Sequence, residues 1–215
     1  MTQTIVCPLC EQPPPFRELE GPDGKDYYLC STCYLIFADR RWLPSKEEEV
    51  KHYLNHENGI QHQGYIDFLN KAVHPALPYL RPGMQGLDYG CGSAPAISLL
   101  LKKEGYTLDN YDPFFFPELD AQKKYDFIFS TESFEHFFNP KQDLQRLSML
   151  LNKEGLLVIM TEQWKKEETF AHWYYVRDPT HVSFYHQHTF RKICSQFNFV
   201  ILFTDNNRVT ILRKK

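Results

Sequence analysis

The spacing of apolar positions changes twice along the chain, and those changes divide it. Residues 1–40 sustain no period, because Pro, Gly and Cys interrupt them too often for a long helix or strand. Pro44-Ser45 then opens a helical pattern with Val50, Tyr53 and Leu54 on one face, and Ser45 with Glu48 has capping-box spacing. A second helix is expected from Gly64 to about Val73, with Tyr65, Phe68, Leu69 and Ala72 on one side, ended by Pro75 and Pro78. From Met84 onward strand and helix patterns alternate. Strands are expected at about 84–89, 106–111, 125–130 and 155–161, and helices near 95–104, 141–151 and 188–197. An apolar run at 199–203, the turn Asp205-Asn206-Asn207 and a strand through Leu212 predict a closing hairpin. Such alternation predicts an α/β domain on a mainly parallel sheet. The expected organisation is a small unit at 1–40, a helical linker or cover at 41–80 and the main domain at 81–215.

The first unit is too short to bury a core unaided and needs a staple. Cys7-Pro8-Leu9-Cys10 and Cys30-Ser31-Thr32-Cys33 are two C-x-x-C knuckles separated by nineteen residues. Each pair can chelate, and together Cys7, Cys10, Cys30 and Cys33 offer the four-sulfur shell of a structural Zn²⁺ site, a zinc ribbon. Two disulfides or redox thiols are the alternative, and the reducing compartment expected below favours zinc. Four thiolates leave no open position, so catalytic zinc is not expected.

Leu87-Asp88-Tyr89-Gly90-Cys91-Gly92-Ser93-Ala94-Pro95 lies between an expected strand and helix. Its glycines permit a tight turn and close approach of backbone to a ligand. About twenty residues later a strand ends in Tyr111-Asp112-Pro113, where a carboxylate can reach ribose hydroxyls. The G-x-G-x-x-G of nicotinamide dehydrogenases is absent, because Pro95 occupies its last position.

On these residues, Leu-Asp-Tyr-Gly-Cys-Gly-Ser-Ala resembles motif I of class I S-adenosylmethionine-dependent methyltransferases, and Asn110–Phe115 resembles their second motif. Residues 125–162 are similar to the family's fourth strand, following helix and fifth strand, and the N-terminal cysteines are similar to those of its zinc-ribbon members. The resemblance implies a Rossmann-like sheet that binds S-adenosylmethionine. Gly90, Cys91 and Gly92 would line its methionine part, Asp88 would orient it and Asp112 would hold the ribose. Pro113, Phe114 and Phe115 would flank the adenine, and Ser130, Thr131 and Glu132 would face the methyl group. Two departures stand out: Ala94 replaces a common third glycine, and only about a dozen residues separate Asp112 from the strand at Tyr125. The third-strand region is therefore expected to be shortened, and with it goes the family's acidic adenine contact.

For the acceptor side, His136 follows the fourth strand. The segment 172–186, with five aromatic residues and three histidines, follows the fifth. Such carboxyl-end loops build pockets in α/β sheets. His136, His181 and Tyr174 are the candidates for acceptor contact or proton removal, with 172–186 expected to act as a lid. A packing role for His136 between its phenylalanine neighbours is the alternative. A second metal site from His181, His186 and His188 is poorly spaced. No Asn-Pro-Pro-Tyr-like tetrapeptide follows the fourth strand, which counts against methylation of a nucleobase amino group.

The 215-residue chain carries a net charge of −3, and residues 1–60 hold six basic and ten acidic side chains. Both counts argue against a protein held on nucleic acid through phosphate contacts. No apolar run has the length of a membrane span, and the start lacks a signal-peptide pattern, so a cytoplasmic enzyme without a membrane partner is expected. Methyl transfer to a small-molecule or sugar-like acceptor is the leading expectation. An rRNA or tRNA methyltransferase with an RNA-docking ribbon, or a catalytically silent cofactor-binding module, are the alternatives.

Overall fold

The computed structural model describes residues 5–54 and 62–215. Residues 55–61 of the expected linker lie outside the described residues. In chain order the elements are β1 (Arg17–Glu20), β2 (Asp26–Leu29), β3 (Ile36–Ala38), α1 (Lys46–Leu54), α2 (Gln63–Ala76), β4 (Gln85–Tyr89) and α3 (Ala96–Lys103). There follow β5 (Thr107–Tyr111), β6 (Tyr125–Thr131), α4 (Pro140–Leu150), β7 (Leu151–Met160), β8 (Ser183–Phe184), α5 (Gln187–Phe197), β9 (Phe199–Thr204) and β10 (Val209–Lys214).

The main sheet has six strands in the order β5-β4-β6-β7-β10-β9. The first four are parallel, and β10 runs antiparallel between β7 and β9, which makes the expected hairpin. Both faces are covered, so the central strands read as continuous apolar runs whose alternate side chains serve opposite layers. Phe127, Phe129, Val158 and Met160 pack with Leu69, Ala72 and Val73 of α2 and Ile97 and Leu101 of α3. Ile128, Leu157 and Ile159 point the other way, toward Leu144 and Leu147 of α4 and Phe190 and Ile193 of α5. Between β5 and β6 the chain makes only an isolated bridge, Asp112 to Phe116, so the third strand of the resemblance is absent and β5 is the sheet edge.

Helix α1 has its capping box: Glu48 N–H donates to Ser45 Oγ, and Ser45 N–H donates to the Glu48 carboxylate at 2.8 Å. Its inner face differs from expectation, because Glu49 is buried while Leu54 is 65% exposed. The expected stop at Pro75 also fails. α2 runs through it to Ala76, since a proline in the last turn removes only one backbone hydrogen bond.

The N-terminal unit is not a free appendage. Strands β1, β2 and β3 form an antiparallel sheet whose fourth strand is β8, contributed by the segment after β7. Tyr27, Leu29, Ile36 and Ala38 share a core with Phe170, Tyr175, Val176, Val182 and Phe184. Cys7, Leu9, Cys33 and Leu35 belong to the same packed cluster as Tyr185 and Phe190 of the main domain. Polar ties reinforce the joint: Gln196 Nε2 donates to the Leu9 carbonyl, and Trp164 Nε1 to the Tyr34 carbonyl, each at 3.1 Å. The boundary near residue 40 thus marks a change of composition and not an end of packing. No helix of the described residues is long and apolar enough to cross a membrane.

Because Leu35 is fully buried in that shared cluster, Leu35→Ala is expected to lower stability by about 2–5 kcal/mol. The unfolding should remain one transition for the whole chain, followed in denaturant by both fluorescence and circular dichroism. Separate early melting of residues 1–40 would contradict the shared core.

Candidate active site

A cavity of about 830 Å³ opens at the carboxyl ends of β4, β5 and β6. That edge is where α/β sheets bind ligands. The turn after β4 is fixed by Gly90 N–H and Cys91 N–H, which donate to the Tyr111 carbonyl at 2.8 and 3.1 Å. Gly90 has φ +81°, and a Cβ there would lie 2.6 Å from that of Ser133, so no other residue fits. Gly92, at φ +64°, faces open space.

Asp112 joins the two loops. Its Oδ2 accepts from Gly92 N–H at 3.0 Å, and its Oδ1 accepts from Phe114 N–H and Phe115 N–H at 2.9 and 3.1 Å. The carboxylate therefore staples the glycine turn to the end of β5, a role additional to the ribose contact expected of it. Pro113, Phe114 and Phe115 line the cavity beside it, and Tyr53 of α1 packs against Phe114 with ring centroids 5.8 Å apart. Asp88 lies behind the turn, fully buried, with Oδ1 lacking a hydrogen-bond partner among the described residues. Burial pushes its pKa up to about 7, the Ser98 backbone N–H opposing and the Asp112 charge adding to the rise.

Beyond β6 the chain bends sharply. Glu132 has φ +48°, a conformation that costs a non-glycine residue about 1–3 kcal/mol. The bend is held by its N–H on the Met160 carbonyl at 2.7 Å. Thr131, Glu132, Ser133, Glu135 and His136 then line the cavity. Ser130 does not: it is fully buried, with its hydroxyl against Ser133 Oγ. Arg208 Nη1 donates to Glu132 at 2.7 Å, and Nη2 donates to Glu162 and, at 2.8 Å, to the Tyr174 hydroxyl. Burial and the Glu135 charge push the Glu132 pKa up, while the Arg208 guanidinium acts against them.

The imidazoles of His136 and His181 stand 4.8 Å apart, centroid to centroid. His136 Nδ1 lies 3.0 Å from the Thr180 carbonyl, and His181 Nδ1 lies 2.7 Å from that of Tyr175. Burial, with the neighbouring His136 charge, holds the His181 pKa down to about 4. Seven acidic side chains line the cavity (Glu49, Asp88, Asp112, Glu132, Glu135, Asp143 and Asp178) against Lys46 and Arg146. Burial holds back ionisation of Glu49, Asp88, Glu132 and Asp143, and Arg208 pairs with Glu132. The negative excess that favours a cationic ligand is therefore smaller than the count.

Where the N-terminal unit meets the main domain, all four cysteines are free thiols whose sulfurs lie within 4.8 Å of one another. Cys7 to Cys33 and Cys10 to Cys30 are each 3.5 Å, far longer than a disulfide and close to the ~3.8 Å edge of a tetrahedral Zn–S₄ shell.

The profile of the family described as methyltransferase domain matches residues 60–203. The chain belongs to that family. None of the curated proteins matches the chain in sequence. Among solved structures it is similar to a SAM-dependent methyltransferase from Archaeoglobus fulgidus, at 18% identity and a TM-score of 0.53, over 69% of this chain and 94% of that one. It is also similar to magnesium protoporphyrin IX methyltransferase from Synechocystis PCC 6803, at 16% identity and a TM-score of 0.47, over 71% and 80%. The first likeness shows a shared fold.

In this methyltransferase the structure gathers Asp88, Gly90, Cys91, Gly92, Asp112–Phe115, Thr131, Glu132, His136, Tyr174 and His181 around one cavity. Tyr174 stands at the rim, 61% exposed, its hydroxyl engaged with Glu162 and Arg208. The expected aromatic lid is only partly a lid. Phe170, Tyr175, Val176, Val182 and Phe184 are core shared with the ribbon, and Trp173 packs against that core. Glu49 and Tyr53 on α1, Tyr65 and Phe68 on α2, and Glu135 were not expected at the site, while Tyr175 and Asp178 lie within the expected lid segment without having been singled out. Glu135 was visible beside His136. The two helices looked like a linker because their polar and aromatic faces carry no motif.

The buried carboxyl of Asp88 binds its proton more tightly folded than unfolded, so stability is lost as pH rises between about 4 and 7. The stability of Asp88→Asn relative to wild type should therefore increase over that range, by up to about 1.4 kcal/mol per pH unit. Denaturant titrations at pH 5, 6 and 7 measure it. A gap independent of pH would contradict a raised pKa.

Proposed function

We propose that the chain transfers the methyl group of S-adenosylmethionine to a small-molecule or sugar-like acceptor. The observation that carries this reading is the pair of loops stapled by Asp112 at the mouth of an acidic cavity. Gly90, Cys91 and Gly92 bring backbone close to the methionine portion, and the unpartnered Asp88 Oδ1 suits its orientation, directly or through water. Asp112 Oδ2, with one donor, retains a lone pair for a ribose hydroxyl. Pro113, Phe114 and Phe115 offer an apolar slot for adenine at the edge left by the missing third strand.

When bound, the cofactor supplies a methyl group on a sulfonium, open to in-line displacement. The protein's share is positioning and exclusion of water. Thr131 and Glu132 border the transfer region, with Ser130 behind them. His136, His181 and Tyr174 take the acceptor, and the cavity has room for a small acceptor beside the cofactor. The same negative field that suits a sulfonium disfavours RNA phosphates. Cys7, Cys10, Cys30 and Cys33 hold a structural Zn²⁺, and the cavity opens elsewhere in the chain.

Titration calorimetry with S-adenosylhomocysteine tests the cofactor assignment. Binding is expected, and Asp112→Ala should weaken it by about 1–3 kcal/mol. No heat from folded wild-type protein would overturn the reading. Elemental analysis of protein washed with a mild chelator should find one tightly held Zn²⁺ retained, assigned to the four cysteines. Cys33→Ser should lower both the zinc content and the midpoint of unfolding of the whole chain. Zinc content unchanged in Cys33→Ser would contradict the four-sulfur assignment.

A further inference from the structure

Resting on the methyltransferase reading of the cavity, we propose that Glu135, His136 and His181 form a divalent-cation site whose open positions take an oxygen donor of the acceptor. One ligand atom from each of these residues lies within 4.8 Å of the others. Ligands about 2.1 Å from an ion are about 3–4 Å apart, so side-chain shifts of an ångström or less close the shell.

Three features prepare these groups for a metal. Both imidazoles have Nδ1 against a backbone carbonyl, Thr180 for His136 and Tyr175 for His181. In the neutral rings that contact puts the proton on Nδ1 and the lone pair on Nε2, the orientation ligating histidines take from their outer partners. Glu135 is oriented in the same way. Its Oε1 accepts from the Tyr175 hydroxyl at 2.5 Å and its Oε2 from the Thr161 hydroxyl at 2.7 Å. Tyr175 thus positions two of the three ligands, one through its carbonyl and one through its hydroxyl.

The third feature is charge. Glu135 is fully buried, and among the described residues no Lys or Arg pairs with it, because Arg208 is taken by Glu132 and Glu162. Buried carboxylates are normally paired or metal-bound, and a cation between Glu135 and the two imidazoles supplies the missing positive charge. Two imidazole nitrogens and one carboxylate suit Zn²⁺ or Mn²⁺ better than Mg²⁺ or Ca²⁺. Three protein ligands leave positions open toward the cavity. The acceptor class that fits is a molecule with a hydroxyl or carboxylate oxygen beside the atom to be methylated. This site differs from the ribbon's thiolates, which close their own shell.

Mn²⁺ is a suitable probe, since it does not compete well for four thiolates. Full-length protein is first washed briefly with a chelator, which removes any zinc held outside the four thiolates and leaves one Zn²⁺ per chain. Titrated with Mn²⁺ and followed by electron paramagnetic resonance, it should bind one Mn²⁺ per chain. His181→Gln and Glu135→Gln should each weaken that binding at least tenfold. The half-buried His136→Gln serves the same purpose if either buried substitution lowers folding, checked by circular dichroism. S-adenosylhomocysteine titrated into the same samples separates the two readings. Cofactor binding without bound Mn²⁺, or Mn²⁺ binding unchanged in the folded variants, overturns the cation site and leaves the methyltransferase reading standing. Absence of cofactor binding in the wild type strikes that reading itself.

Discussion

The cleft depends on one carboxylate. Asp112 accepts three backbone N–H groups, one from the turn after β4 and two from the turn that follows β5. Charge-assisted bonds of this kind contribute about 1.5–3 kcal/mol each. They fix the relative position of the Gly90–Gly92 backbone, the start of α3 and the Phe114–Phe115 pair. Gly90 then has no room for a Cβ, because Ser133 from the loop after β6 presses against it. Three successive carboxyl-end loops are thereby set against one another by contacts within the chain, a geometry that reduces the ordering cost of binding.

A second constraint ties the ribbon to the catalytic fold. Residues 1–40 could not bury a core alone, and they do not try to. Their sheet is completed by the two residues of β8, and their apolar side chains join rings from the segment after β7. That segment therefore has two faces. Phe170, Val176 and Phe184 pack toward the ribbon, while Tyr175, Asp178 and His181 border the cavity. Tyr175 belongs to both faces, its ring in the shared core and its hydroxyl on Glu135 at the cavity wall.

The parts legible in the sequence are those governed by local spacing. The strand–helix alternation, the glycine turn, the capping box at Ser45, the missing third strand and the cysteine knuckles all follow from residues close together in the chain. The rest depends on contacts between distant positions. β8 is too short for any period to announce it, and its partner β3 lies far upstream. The rings at 170–184 carry the composition of a binding loop, but most meet another core that the sequence does not mark. Arg208 shows no motif, yet it reaches Glu132 and Glu162. Ser130 and Thr131 illustrate the period-2 rule at the site's border: one step along β6 turns a cavity wall into a buried packing residue. Tyr53 and Phe68 became walls only because α1 and α2 fold back over the sheet.

Hydrogen exchange of the backbone, with and without S-adenosylhomocysteine, tests most directly that these stapled loops are the cofactor site. Protection is expected to rise at Gly90–Gly92 and at Phe114–Phe116, with little change in β1–β3 of the ribbon. Protection absent from both loops while the ligand binds elsewhere would contradict the account.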